Sequence, residues 1–246
     1  TSSGNTDVRY IGVYDIQTKI WSELKGGTVN KMCRVLLKND ETNELYAGGM
    51  FTCTFDNKVA LPYLGKYNLK EDKWYPISLA LQAQCNTIAF DKENNYLYIG
   101  GTFKEPIQNI NHVVQYNLKT NTWDNMDGGV NNVVQSLHYE NKSNCLFAGG
   151  SFSNTLDNSI VLNYIAKYIP SERKWQSLES YFQNSNVNVE EKENNQGLDG
   201  VCKVVSTDEK SLFIAGNFKT AGNISANSIA STLYIDAVVK LRKLKQ

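Results

Sequence analysis

Four tryptophans set the rhythm of this 246-residue chain. Each lies seven residues after a tyrosine: Tyr14 and Trp21, Tyr67 and Trp74, Tyr116 and Trp123, Tyr168 and Trp175. Successive tryptophans are 53, 49 and 52 residues apart, and an apolar side chain stands three places beyond each: Leu24, Ile77, Met126 and Leu178. A period of about fifty residues marks a chain built from one supersecondary unit. Such a unit is too small to bury its own apolar face, so neighbouring units must stack.

A second motif keeps the same time. It reads Tyr46 to Phe51 with Gly48 and Gly49, Tyr98 to Phe103 with Gly100 and Gly101, and Phe147 to Phe152 with Gly149 and Gly150. A reduced copy, Ile214 to Phe218, keeps Gly216. From each tryptophan to the next of these glycines the interval is 27, 26 and 26 residues, and then 41. The last interval holds an insertion of about fifteen residues, within Glu179 to Gly200.

Each unit reads as four short strands. The first is an apolar run: Met32 to Leu37, Cys85 to Phe90, Val133 to Leu137, Val201 to Val205. A polar turn such as 38–41 or 140–143 leads to the second, the aromatic-Gly-Gly-Phe segment. A longer loop leads to the third, which ends in the tyrosine, and a tight turn (15–19, 117–121) delivers the fourth with its tryptophan. The first two strands are apolar almost throughout, which implies burial on both faces. Four strands per unit and a period near fifty predict an all-β fold, a β-propeller of four-stranded antiparallel blades. The glycine pairs allow close backbone approach near a crowded axis, and the tryptophans fill the wider outer gaps between blades.

The expected domain covers residues 7–241. Its blade units are about 32–77, 85–126, 133–178, and 201–218 completed by 9–24. Residues 179–200 form a polar insertion loop and 242–246 a basic tail. Two closures are open. The N-terminal strand pair completes the C-terminal pair to give four blades with strand exchange. Alternatively, a further third strand at Ala237 to Leu241 belongs to a larger ring. The chain opens on Thr1 and not on Met, which fits a processed terminus or an excerpt of a longer protein.

At these residues the chain resembles the kelch repeat. Val13 to Trp21 and Gln115 to Trp123 are the best copies of its Tyr-to-Trp segment. The Gly-Gly-x-Phe form is closer to the Rax2-like and galactose-oxidase-type kelch propellers. The similarity runs from Tyr10 to about Phe218. It implies the fold and leaves the function open, because propellers host binding modules, enzymes and structural proteins alike. The copper site of galactose oxidase is not carried over, since no matching pair of histidines with a Tyr–Cys pair is present.

Composition narrows the classes. The 25 basic and 25 acidic side chains cancel, which argues against a nucleic-acid binder. No run approaches the length of a membrane span. The 29 asparagines, with 21 Lys against four Arg, fit an AT-rich coding sequence and carry little functional weight. Cys33, Cys85 and Cys202 share one repeat position, which Val134 fills in the remaining unit, so they read as small buried hydrophobes. Cys53 is within hairpin reach of Cys33. No Cys or His spacing suggests zinc. His112 and His138 fall in different blades, and the carboxylates sit mainly in turns, so neither a catalytic set nor a cofactor is expected.

The sequence therefore predicts a non-enzymatic interaction module with a protein partner, and with a glycan as a further candidate. The alternative is a structural component of a cell-surface or particle-surface assembly; an enzyme with an axial carboxylate or metal site ranks third. Candidate recognition surfaces are the insertion and the loops Thr52 to Leu61 and Ser153 to Asn163. The two sequons, at Asn141 and Asn223, and the Rax2-like resemblance favour the cell exterior over the cytoplasm. The basic run Lys240 to Lys245 reads as a solvated tail or as a juxtamembrane segment.

Overall fold

A computed structural model describes residues 2–3, 6–77, 81–105, 109–178, 197–208, 211–222 and 224–233. The core of the insertion, 179–196, and everything after 233 lie outside the described residues, as do the strand expected at Ala237 to Leu241, the sequon residue Asn223 and the basic tail. The chain divides into two compact units: 1–88 with 101–105, and 89–100 with 106–246. The division falls within the second four-stranded sheet.

Two short hairpins come first, β1 (Ser2–Ser3) with β2 (Thr6–Asp7) and β3 (Gly12–Asp15) with β4 (Ile20–Glu23). Sheet one follows in sequential order: β5 (Cys33–Asn39), β6 (Glu44–Gly49), β7 (Leu64–Asn68) and β8 (Lys73–Pro76). Sheet two repeats it with β9 (Cys85–Asp91), β10 (Tyr96–Glu105), β11 (Ile110–Asn117) and β12 (Thr122–Asp124). Sheet three contains β13 (Val134–Glu140), β14 (Cys145–Gly150), β15 (Ile165–Ile169) and β16 (Lys174–Ser177).

Sheet four contains β17 (Val201–Thr207), β18 (Ser211–Asn217) and, after the small hairpin β19 (Thr220–Ala221) and β20 (Ile224–Ser225), the strand β21 (Ile229–Leu233). Here the structure differs from the expected pairing of 201–218 with 9–24. The strand beside β18 is β21, and β3–β4 stands as its own two-stranded sheet. Closing a local connection costs less chain entropy than recruiting a segment from the far end of the sequence.

The Tyr–Trp signature is a cross-strand pair. Tyr14 faces Trp21, Tyr67 faces Trp74, Tyr116 faces Trp123 and Tyr168 faces Trp175 in register. Their ring centroids are 5.1, 5.1, 4.2 and 5.0 Å apart, so the two rings of each pair are in direct contact. Seven residues separate the partners because the hairpin turn needs one left-handed corner two places before each tryptophan. Lys19, Asp72, Asn121 and Arg173 hold it, all with φ between 52° and 60°. The tyrosine hydroxyl secures the corner in two units, donating to Asp72 Oδ1 (3.1 Å) and to Asn121 Oδ1 (2.6 Å).

The tryptophans also reach backwards. In the first unit the Trp74 indole N–H donates to the Gly27 carbonyl at 2.9 Å, across 47 residues. In the second unit Trp175 donates to the Met126 carbonyl at 2.9 Å, across 49 residues. Each therefore fastens the last strand of its sheet to the connection that left the preceding tyrosine–tryptophan hairpin. Both rings are buried, Trp175 to 1% exposure, whereas Trp21 remains 38% exposed.

The glycine pairs do two jobs. A Cβ on Gly48 would collide with the Cys85 thiol, and a Cβ on Gly149 with the Cys202 thiol. The first glycine thus receives the small side chain that opens the next sheet. The second glycine crosses the start of its own sheet: a Cβ on Gly49 or Gly150 would strike the carbonyl of Met32 or Val133. Gly216 pairs with Cys202 as Gly49 pairs with Cys33. It is therefore the counterpart of the second glycine, and Ala215 stands in the first place.

Burial follows the strand position. β6 and β14 are buried on both faces along their Gly-Gly segments. β17 is not: Cys202 and Val205 enter the core with Leu212 and Ile214, while Val204, Phe213 and Ile229 lie on the exposed face. One face of sheet four packs on sheet three, and the alternating residues point the other way. The first strands therefore depart from the expected two-faced burial at β17 and also at β5, where Leu36 is exposed.

Candidate functional site

Cys33, Cys85, Cys202 and His138 are engaged in structure. Burial pushes the Cys33 thiol up to about 11 and the Cys85 and Cys202 thiols up to about 12, which keeps them protonated and poorly nucleophilic. All five cysteines are free, so Cys33 and Cys53 are not bridged. Cys33 Sγ donates towards the Val35 and Gly48 carbonyls, and Cys53 Sγ towards Asn57 Oδ1. Among the described residues no group of three or more His, Cys, Asp or Glu side chains could hold a metal ion.

The histidines lie apart. His112 is buried within β11 at φ 63°, the repeat position that Tyr63, Tyr164 and Ser228 occupy just before β7, β15 and β21. His138 is on β13, where the Thr207 hydroxyl sits 2.8 Å from Nε2 and 2.6 Å from Glu140 Oε2. Thr207 has one proton, which goes to the carboxylate, so it accepts from Nε2–H. Desolvation lowers the His138 pKa and Glu140 partly offsets it. The trio ties β17 to β13.

The loops between second and third strands are built to one plan in both units. In the first, Asn30 Oδ1 accepts the backbone N–H of Thr52 (2.9 Å) and Cys53 (3.4 Å). Thr54 Oγ1 donates to Asp56 Oδ1 at 2.6 Å and accepts Val59 N–H at 3.1 Å. In the second, Asn131 Oδ1 accepts the N–H of Ser153 and Asn154, Thr155 donates to Asp157 at 2.6 Å, and Ile160 N–H returns to Thr155. The Thr54 hydroxyl, more than any other group, holds the Asp56 carboxyl down at about 2, and Thr155 lowers Asp157 in the same way. Asp199 takes the place of the two asparagines in sheet four, accepting from Lys219 and Thr220. Phe55 is exposed in the turn of the first loop and Val161 where the second loop returns beside Asn154, and Arg9 lies 4.3 Å over the Phe55 ring.

A third feature lies wholly within the second unit. At the end that carries the hairpin turns, a cleft of about 550 Å³ opens between sheets two and three. Tyr96, Gln115, Asn144 and the ion pair of Asp124 with Arg173 (2.5 Å) line it. This volume is in the range of small-molecule sites.

Sequence reading pointed to both loops and to the tyrosines, tryptophans and glycine pairs. It missed the cleft and it missed the asparagines. Of the nineteen described non-glycine residues with positive φ, nine are asparagine, and Asn43, Asn95 and Asn144 hold the same corner in three hairpins. Their short amide tolerates the left-handed region. The signal was present as Thr-x-Asp-Asn at 54–57 and 155–158, and as Gly-Gly followed by Val-Asn at 26–30 and 128–131.

The family model of the Rax2 C-terminal beta propeller domain matches residues 64–202, more than half of the chain. Among solved structures, the extracellular domain of BT4673 from B. thetaiotaomicron is similar at 15% identity and a TM-score of 0.57, over 92% of this chain and 25% of that one. A chain of the Mitotic Checkpoint Complex is similar at 14% identity and a TM-score of 0.52, over 84% of this chain and 50% of that one. This chain thus spans a quarter to a half of the structures it matches. At such identities the likeness is one of fold. No curated protein matches the chain. No helix among the described residues is long and apolar enough to cross a membrane.

Proposed function

Because the chain belongs to the family of Rax2 C-terminal beta propeller domains, we propose that it is a non-enzymatic recognition module that holds protein partners on the loops between its second and third strands, 52–61 in the first unit and 153–163 in the second, each a surface of its own unit. The observation that carries this reading is the bracing of those loops. Each is fixed at its base by an asparagine and at its tip by a Thr–Asp turn, so little chain entropy is lost when a partner docks. The exposed Phe55 and Val161 supply apolar anchors on a polar surround. The test is quantitative crosslinking of the intact protein on cell-surface extract, with Phe55→Asp and Val161→Asp alongside. We expect a discrete partner on a loop that the substitution in that loop abolishes at unchanged melting temperature; capture that ignores both substitutions refutes the loop surfaces.

A second reading is favoured by one observation. The outer face of sheet four exposes Val204, Phe213 and Ile229, an apolar patch of the kind that marks contact with a neighbour. On this reading the domain is a structural part of a cell-surface or particle-surface assembly. Recovery of the chain as a stoichiometric component of a particle supports it, and a monodisperse monomer at high concentration opposes it. An extracellular setting is part of the proposal, supported by the family and by the exposed sequon residue Asn141.

A further inference from the structure

We propose that the open edge of β3 and the bare first strand of sheet one receive a β-hairpin donated by a partner protein. The site is separate from the loops assigned above and uses none of their residues. The first observation is an unfinished sheet. Register makes β3 and β4 a third and a fourth strand: Gly12 faces Glu23 as Gly65 faces Pro76 and Ala166 faces Ser177. In sheets one and three the third strand also pairs with a second strand, Gly65 with Ala47 and Ala166 with Ala148. Among the described residues β3 pairs with β4 alone. Its other edge therefore offers N–H and C=O groups to an incoming strand.

The second observation is the surface beside that edge. Leu36, three places beyond Cys33, is 48% exposed. Ile88, Leu137 and Val205 stand three places beyond Cys85, Val134 and Cys202 and are 6, 7 and 4% exposed. Cys33 is likewise half-open, whereas Cys85 and Cys202 are buried against Gly48 and Gly149 of the preceding sheet. Ile11 and Leu24 beside the β3–β4 hairpin share a core with Ala47, Tyr67 and Trp74, but they leave Leu36 bare.

The third is charge. Five places beyond the same repeat position stand Lys38, Tyr139 and Thr207. Tyr139 donates to Asp91 of sheet two, and Thr207 donates to Glu140 of sheet three. An acid ending one first strand thus bonds this place in the following sheet. Lys38 holds the place in sheet one and reaches Asp40 of its own turn at 2.7 Å. The occupant is specified accordingly. Its first strand ends in Asp or Glu, to meet Lys38. Its second carries Ala-Gly-Gly, with the alanine opposite Gly12 and the first glycine against Cys33.

The probe is the hairpin 133–152, which contains Glu140 and the run Ala148-Gly149-Gly150. It is made as a backbone-cyclised peptide, so that it is closed before it binds. The whole chain is titrated with it by calorimetry, and exchange of the β3 amides that point away from β4 is followed by NMR. We expect Kd below about 100 μM and exchange slowed at least about tenfold. Lys38→Glu in the chain should weaken binding at least about fivefold at unchanged melting temperature, and Glu140→Lys in the peptide should restore it. A peptide with Gly149→Leu, which fills the seat of Cys33, should not bind. Phe55→Asp in the chain should leave binding intact, which separates this site from the loop surfaces. Absence of binding, unchanged β3 exchange, or a charge swap without recovery overturns the proposal. So do β3 amides already slow in the chain alone, because its own residues or a second copy then hold the edge.

Discussion

Trp175 and Trp21 are the same residue in the same motif, yet they live differently. Trp175 is buried to 1% exposure, lies tilted 5.0 Å from Tyr168 and donates its indole N–H to a carbonyl 49 residues upstream. Trp21 faces Tyr14 at 5.1 Å but is 38% exposed. The cross-strand pair therefore forms within its own hairpin, without need of a neighbouring sheet. What a neighbouring sheet adds is burial of the indole and a partner for its N–H. The motif is a device for joining sheets, and the hairpin alone realises only half of it.

Substitutions can break or sharpen that contrast. The largest effect is expected for Trp175→Ala, which empties a buried indole site and strands the Met126 carbonyl: about 3–5 kcal/mol by denaturant melts. Gly149→Ala comes next. The new methyl meets the Cys202 thiol, and overpacking of this kind costs about 1–3 kcal/mol. Adding Cys202→Ala should recover part of the loss, so the double mutant should be less destabilised than the sum of the singles.

A smaller, pH-dependent effect belongs to His138. Its folded-state pKa lies below the ordinary value of 6.5 because burial disfavours the imidazolium. The stability tied to the neutral ring is full above that value and declines as pH falls through it towards the folded-state pKa. Melting temperatures from pH 7.5 to pH 5 should drop more in the parent than in His138→Gln; parallel curves would remove the histidine from the account. Smallest is Trp21→Ala, at about 1 kcal/mol or less, the scale of an exposed cross-strand pair. A cost equal to that of Trp175→Ala would erase the distinction between the two sites.

The fold was legible because its signals are chemical necessities at fixed intervals. Only glycine lets Cys85 seat against position 48, and only a large ring bridges from Tyr168 to the Met126 carbonyl. The loops were legible as loops, but their stiffness was not. It arises from Asn30 and Asn131, which read as compositional noise in a chain rich in asparagine. The cleft was illegible for another reason. Tyr96, Gln115, Asn144 and Arg173 come from strands and turns of two sheets, and no interval in the sequence brings them together. Gly216 was placed one position off because Ala215 hides the first member of the pair, and only the strand register reveals the frame.

The backward reach of Trp74 and Trp175 also bears on how the chain matures during synthesis. Each indole looks for a carbonyl that left the ribosome dozens of residues earlier. Each newly made segment thus finds its docking surface already present, and assembly can run from the amino to the carboxyl end as a ratchet, every step templated by the one before.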